Sequence, residues 1–265
     1  MNRPLYLIDV EGVLVVDKSY RPVAGSVAWL NGLGDRGIRW RLVSNNTTHR
    51  PDELVAALND AGFVVPSDHL SGALTTGLAQ LQREGWRRLN WLGAHRLRGW
   101  LREQGFSLTD ESTGACDAVV LGVSPELTLG QLDRAMTQLR EGAVLMCLHR
   151  NRFWLDRGGR PRLGPGALAA ALLAAVPGAR CLTAGKPEPA VYQDALKSLG
   201  GKPADALFIS DDPFTDLVGA RQLGIATVFV LSGKYQSADV LDELPRDQRP
   251  DLVLQRADQL SQDHA

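Results

Sequence analysis

The chain has 265 residues, 44% of them hydrophobic, with Lys+Arg 29 against Asp+Glu 30 and a formal net charge of -1. That length and composition can bury the core of one large domain or two modest ones. The balanced charge argues against a general nucleic-acid or anionic-membrane binder, which carries a basic excess.

In chain order, "PLYLID" (4–9) reads as a strand and "SVAWLNGLGDRG" (26–37) as a helix with Ser26 at its N-cap. A second strand, "IRWRLVSNN" (38–46), precedes "PDELVAALNDAG" (51–62), a helix with Pro and acids in its first turn. A middle set follows: "LNWLGA", "HRLRGWLREQG", "DAVVLGV", "LGQLDRAMTQLREG" and "AVLMCLH". Within it, "FWLDRGGRPRL" reads as a hairpin turning at Asp156–Gly159. The C-terminal part returns to strand and helix in alternation: "ARCLTAG", "EPAVYQDALKSLG", "DALFISDD", "FTDLVGARQLG" and "ATVFVLSG". Such alternation gives right-handed crossovers and a parallel sheet covered on both faces. The fold expected is α/β, a Rossmann-like core of residues 1–74 and 180–265 interrupted by a smaller α/β domain of residues 75–179.

Three features exclude other classes. No apolar run reaches the roughly 18 residues of a membrane span, and "MNRPLYLIDVEG" meets acid too early for a signal peptide. Cys116, Cys147 and Cys181 are odd in number and set in apolar runs, as reduced cytoplasmic thiols are. "GLGDRG" fits a dinucleotide glycine pattern but ends a helix instead of opening one, "GPGALA" has no strand before it, and "AGKPEP" carries Pro187 where a P-loop needs Ser or Thr.

In an open parallel sheet, ligands gather beyond the C-terminal ends of the strands. Four strands here end in useful polar residues: Asp9 and Glu11; Ser44, Asn45 and Asn46; Lys186; and Asp211, Asp212 and Asp216. Carboxylates, a lysine and small hydroxyl or amide donors in one crevice suit magnesium and phosphate together. Asp17, Asp52 and Asp205 are read as ordinary caps or solvated loop acids.

"DVEGVL", "VSNNTT", "GKPEP" and "SDDPFTDLVGA" resemble the four motifs of the haloacid dehalogenase-like hydrolases. Their order and spacing are similar to the NagD or para-nitrophenylphosphatase branch, whose large cap lies between the second and third motifs. "LGPGALAAAL" and "LSGKYQ" add a likeness to the phospholysine/phosphohistidine inorganic pyrophosphate phosphatase subgroup. The resemblance implies a cytoplasmic, Mg²⁺-dependent phosphatase of small phosphorylated metabolites, with Asp9 as a nucleophile that forms an aspartyl-phosphate. It implies Mg²⁺ held by Asp9, Asp211 and the Glu11 carbonyl, phosphate bound by Ser44, Asn45 and Lys186, and Asp216 and Asp212 behind them. Gly12 would let the chain turn beside the phosphate.

Two residues depart from that pattern. Glu11 stands where the family usually carries Asp as general acid/base, on a chain longer by roughly 1.5 Å. It is either a working variant in a reshaped site or the mark of a weak enzyme that binds a phosphometabolite or a protein. Ser210 replaces a more usual Gly, with little effect expected. The cap would choose the substrate, with Arg150, Asn151 and Arg152 facing it. Trp86, Trp91, Trp100 and Trp154 read as cap core or the interface of a cap-mediated homodimer, and His49 as a surface-loop residue. Phosphoryl transfer to an acceptor other than water and dehalogenation are rival chemistries; Asp211, Asp216 and Lys186 disfavour the second.

Overall fold

The computed structural model describes residues 5–16, 19–109, 114–156 and 158–260, so Asp17 lies outside the described residues. The chain opens with β1 (Leu5–Ile8), α1 (Ser26–Asn31), β2 (Trp40–Ser44), α2 (Pro51–Asp60) and β3 (Leu70–Gly72). A second group follows: α3 (Ala73–Arg83), β4 (Arg88–Leu92), α4 (Arg98–Glu103), β5 (Ser107–Leu108), β6 (Ala118–Leu121), α5 (Leu129–Arg140), β7 (Val144–Cys147), β8 (Phe153–Leu155), β9 (Pro161–Leu163), α6 (Pro165–Ala175) and β10 (Cys181–Thr183). The last is α7 (Pro189–Ser198), β11 (Ala206–Ser210), α8 (Val218–Gln222), β12 (Ala226–Val230) and β13 (Leu252–Leu254).

Two parallel sheets result. The first has six strands in the order β13-β12-β11-β1-β2-β3, and the second has five in the order β10-β7-β6-β4-β5. β1 and β11 are apolar and buried along their whole length because helices cover both faces. Trp29 and Leu30 of α1 with Leu54, Val55 and Leu58 of α2 pack on one face of the first sheet. Val191, Tyr192 and Ala195 of α7 with Ala220 of α8 pack on the other. The second sheet is sandwiched the same way, by α3 and α4 on one face and α5 and α6 on the other. β8 and β9 form the expected antiparallel hairpin, where Asp156 Oδ1 accepts the Gly158 and Arg160 N–H groups across the turn.

The structure corrects three local readings. "ARCLTAG", expected in the core, instead forms β10, which pairs with β7 and completes the second sheet. Both sheets are parallel with helical crossovers, so an apolar run carries no mark of which one it joins. Ser26 does not cap α1: its hydroxyl donates to the Leu14 and Val23 carbonyls, and Gly25 holds the N-cap. "FTDLVGARQLG" is not one α-helix, because a π-helical turn (Pro213–Leu217) precedes α8. Trp91 is buried in the core of the second unit and Trp86 and Trp100 pack against it, the core alternative expected for them.

Among the described residues, no helix is long and apolar enough to cross a membrane. Cys116 and Cys147 are buried, and burial pushes the Cys147 thiol up to about 12, far from a reactive thiolate.

Candidate active site

The C-terminal ends of β1, β2 and β11 lie side by side on one edge of the first sheet, and the "GKPEP" loop comes down from β10 to meet them. Asp9 follows β1 and is buried at 6% exposure. Its Oδ1 accepts the Val10 N–H at 2.8 Å and lies 2.7 Å from Lys186 Nζ. The same ammonium is 2.6 Å from Asp216 Oδ2, so one lysine bridges two carboxylates that are far apart in sequence. Ser210 is not silent: its hydroxyl lies 2.8 Å from Asp216 Oδ2 and 3.3 Å from Asp9 Oδ2.

Beyond Asp9 the chain turns at Gly12, with φ +83°, and a side chain there would collide with the Asp211 carboxylate. A side chain at Gly233 would meet the same group. These glycines let three loops close round Asp211, whose Oδ2 accepts the Lys234 N–H at 2.7 Å. Glu11 is held sideways: Asn46 Nδ2 donates to its Oε1 at 2.9 Å, and Ser44 Oγ lies 3.4 Å from its Oε2. Asn46 Nδ2 also lies 3.2 Å from the Tyr20 hydroxyl, which is 3.0 Å from His49 Nδ1. His49 therefore stands behind Glu11, and it borders a neighbouring cavity instead of the one at Asp9.

Two expected ligand residues turn out to be otherwise engaged. The Asn45 side-chain amide donates to Asn151 Oδ1 at 2.9 Å and to the Lys186 carbonyl at 3.2 Å, while its oxygen accepts the Lys186 N–H at 2.9 Å. It clamps the lysine loop while still bordering the cavity, whereas Ser44 borders a neighbouring one. Asp212 Oδ1 accepts the N–H groups of Phe214 and Thr215, at 3.2 and 3.0 Å, and so shapes the π-helical turn. Its Oδ2 takes the Lys234 ammonium at 2.6 Å and Asn151 Nδ2 at 3.4 Å. Of the three cap residues expected at the substrate, only Asn151 borders the cavity. Arg150 is exposed and donates to Thr183, and Arg152 lies over the Phe214 ring.

The cavity has a volume of about 80 Å³. Asp9, Glu11, Lys186, Asp211 and Lys234 form its floor, and His149, Asn151, Phe153 and Trp154 from the second unit form its roof. Burial raises the Asp9 carboxyl against the pull of Lys186, and the negative charges of Asp211 and Glu11 add to the rise. Burial likewise brings Asp211 to about 6 and Asp216 to about 7. Burial alone would lower Lys186, yet Asp216 and Asp9 more than offset it and the ammonium is stabilised. These directions describe one charge surplus, carboxylates outnumbering the cations among them.

That surplus suits a hard divalent cation. The donors are all oxygens, and Asp211 sits in a cradle that a Cβ at Gly12 or Gly233 would fill. Asp216 Oδ1 is buried with no hydrogen-bond partner among the described residues. Magnesium is held by one or two carboxylates, and water and substrate oxygens complete its shell.

Residues 6–107 match the family described as "Haloacid dehalogenase-like hydrolase", and residues 183–260 match "HAD-hyrolase-like". The chain belongs to the haloacid dehalogenase-like hydrolases. It is 29% identical over 234 residues to human "Haloacid dehalogenase-like hydrolase domain-containing protein 2", covering 88% of this chain and 86% of that one. Among solved structures, the 4-nitrophenylphosphatase from Thermotoga maritima superposes with a TM-score of 0.81 at 26% identity, covering 96% and 95% of the two chains. The glycerol phosphate phosphatase from Mycobacterium tuberculosis, in complex with magnesium, gives 0.78 at 25% identity, covering 96% of this chain and 74% of that one. The branch expected from motif order is the one to which the Thermotoga enzyme is similar.

Sequence reasoning placed Asn46 at this edge and missed Lys234, His149, Phe153 and Trp154 as part of this haloacid dehalogenase-like site. Lys234 carried the one available signal, a lone cation just past the end of β12 on the edge where ligands gather.

Proposed function

We propose that this chain is a Mg²⁺-dependent phosphoric monoester hydrolase of small phosphorylated metabolites, working through an aspartyl-phosphate on Asp9. The observation that carries the reading is Asp9 itself: a buried carboxylate held by Lys186, beside Asp211, opening into a cavity. Asp9, Asp211 and the Glu11 carbonyl would hold the metal, which when bound supplies positive charge for the phosphoryl oxygens. Lys186 and Ser44 bind those oxygens. Asp9 attacks phosphorus, the bond to the leaving oxygen breaks, and Glu11 gives that oxygen a proton. Glu11 then takes a proton from water as the water attacks the aspartyl-phosphate, which returns Asp9 and frees phosphate. Asn46 and Ser44 keep the longer Glu11 side chain in place for both transfers.

Residues 75–179, together with β10, form the cap in this reading, and residues 1–74 with the remainder form the catalytic core. A roof of Phe153 and Trp154 over so small a cavity favours compact leaving groups. The deciding experiment is phosphate release from para-nitrophenyl phosphate and a panel of sugar and triose phosphates, with magnesium or with chelator. Turnover that needs magnesium and is abolished by Asp9→Asn is expected. A wild type that binds these esters yet releases no phosphate would establish the rival, a binding protein on the same scaffold.

A further inference from the structure

Lys234 is the second lysine at the cavity, and its placement is over-determined. Its N–H is fixed on Asp211 Oδ2, Gly233 before it has no room for a side chain, and Ser232 Oγ donates to the Gly12 carbonyl at 2.6 Å. The loop is thus tied to both the Gly12 turn and the β11 end. The side chain is 16% exposed, with its ammonium 2.6 Å from Asp212 Oδ2. An ammonium has three donors. Lys186 spends two on Asp9 and Asp216, whereas the ammonium of Lys234 has Asp212 as its one partner among the described residues.

Asp212 cannot offer the metal much, since its oxygens serve two main-chain N–H groups, Lys234 and Asn151. Its consequence is to hold Lys234 where the cap residue Asn151 enters. Charge requires such a cation. Asp9, Glu11, Asp211 and Asp216 border the cavity, and Lys186 is already committed to two of them. A phosphate dianion entering past these carboxylates needs donors that are not yet spent.

We propose that Lys234 is a substrate-binding residue, its two remaining donors meeting the phosphoryl group and leaving oxygen on the cap side, while Asp212 is the positioning residue that aims it. The inference rests on the phosphatase reading and adds a second phosphate cation to it.

The test titrates inorganic phosphate into the full chain with magnesium by calorimetry, and separately titrates Mn²⁺ by electron paramagnetic resonance. Lys234→Met should weaken phosphate about tenfold, the worth of one charge-assisted bond. Lys234→Arg should recover much of it. Mn²⁺ binding should be unchanged, since the main-chain N–H on Asp211 survives the substitution. Removing the lysine alone strands Asp212, so the double variant Asp212→Asn/Lys234→Met guards against misfolding and should show the same phosphate loss. Unchanged phosphate affinity in both Met variants overturns the inference, as does an equal loss of Mn²⁺, the mark of a merely structural role. A wild type that binds phosphate through Lys234 but turns over no ester defeats the hydrolase reading and leaves this one standing.

Discussion

At the scale of single residues, the site is governed by carboxylates crowded round too few cations. In metal-free protein, burial holds Asp211 at about 6 and Asp216 at about 7, above the unfolded value of about 3.9. Groups raised in the folded state stabilise it fully below their unfolded value, and that contribution is lost as pH climbs through the folded one. The metal-free fold therefore loses stability from these two residues between about pH 4 and 7. Magnesium binding runs the opposite way, because protons compete for Asp211: its affinity should fall about tenfold per pH unit below 6. The rise in melting temperature caused by magnesium should thus be large at pH 7.5 and nearly gone at pH 5, and an equal rise at both would remove Asp211 from the metal site. Glu11 gives a second prediction. Its carboxylate reaches Asn46 at 2.9 Å, and an Asp falls short by roughly 1.5 Å. Glu11→Asp should then lower kcat by about tenfold or more, part of the 10²–10⁴ that general acid/base transfer supplies. A faster enzyme would instead mark Glu11 as a handicap.

At the scale of elements, one side-chain amide of the second unit ties together three loops at the cavity. Asn151 bonds Asn45, His149 and Asp212, and so joins the end of β7 to the ends of β2 and β11. Asn151→Ala should raise KM about tenfold while leaving magnesium binding intact, because its amide bonds Asn45, His149 and Asp212 and none of the proposed metal ligands. A fall in kcat with KM unchanged would argue against a role in closing the cavity. This level of organisation was partly legible in the sequence. β1 and β11 are buried on both faces, so they read as continuous apolar runs, and the polar residues that stop them mark the ligand edge. Three things were not legible. Sheet membership is one: "CLT" has the same character whether it pairs with β7 or with a core strand. Side-chain direction is another: Arg150 and Arg152 flank Asn151, yet they point to Thr183 and Phe214 and leave it alone at the cavity. The third is competition for a donor. Asn45 has the right chemistry for phosphate, but the Lys186 main chain and Asn151 claim its amide, a choice that only the folded loops make.

At the scale of the whole molecule, the two sheets carry separate apolar cores, one pair of clusters each. The proposed metal ligands Asp9, Glu11 and Asp211 all follow strands of the first sheet, whereas the cavity roof of His149, Asn151, Phe153 and Trp154 belongs to the second unit. Metal binding is then a property of one unit and turnover a property of both. Leu145, at 0% exposure, lies in β7 between α5 and α6, and Leu42, also at 0%, lies in β2 beneath α2. Truncating either to Ala removes about 2–5 kcal/mol from its own core. Leu145→Ala should loosen the second sheet first, so that on warming phosphate release fails at a temperature where magnesium still binds. Leu42→Ala should lose both together, because the six-stranded sheet positions the metal ligands and supports the cap. The measurement is turnover and magnesium titration on the same samples across a temperature series. Coincident loss in both variants would mean that the molecule unfolds as one cooperative unit, the two cores being coupled through Asn45, Asn151 and the Lys186 loop more tightly than their separate packing implies.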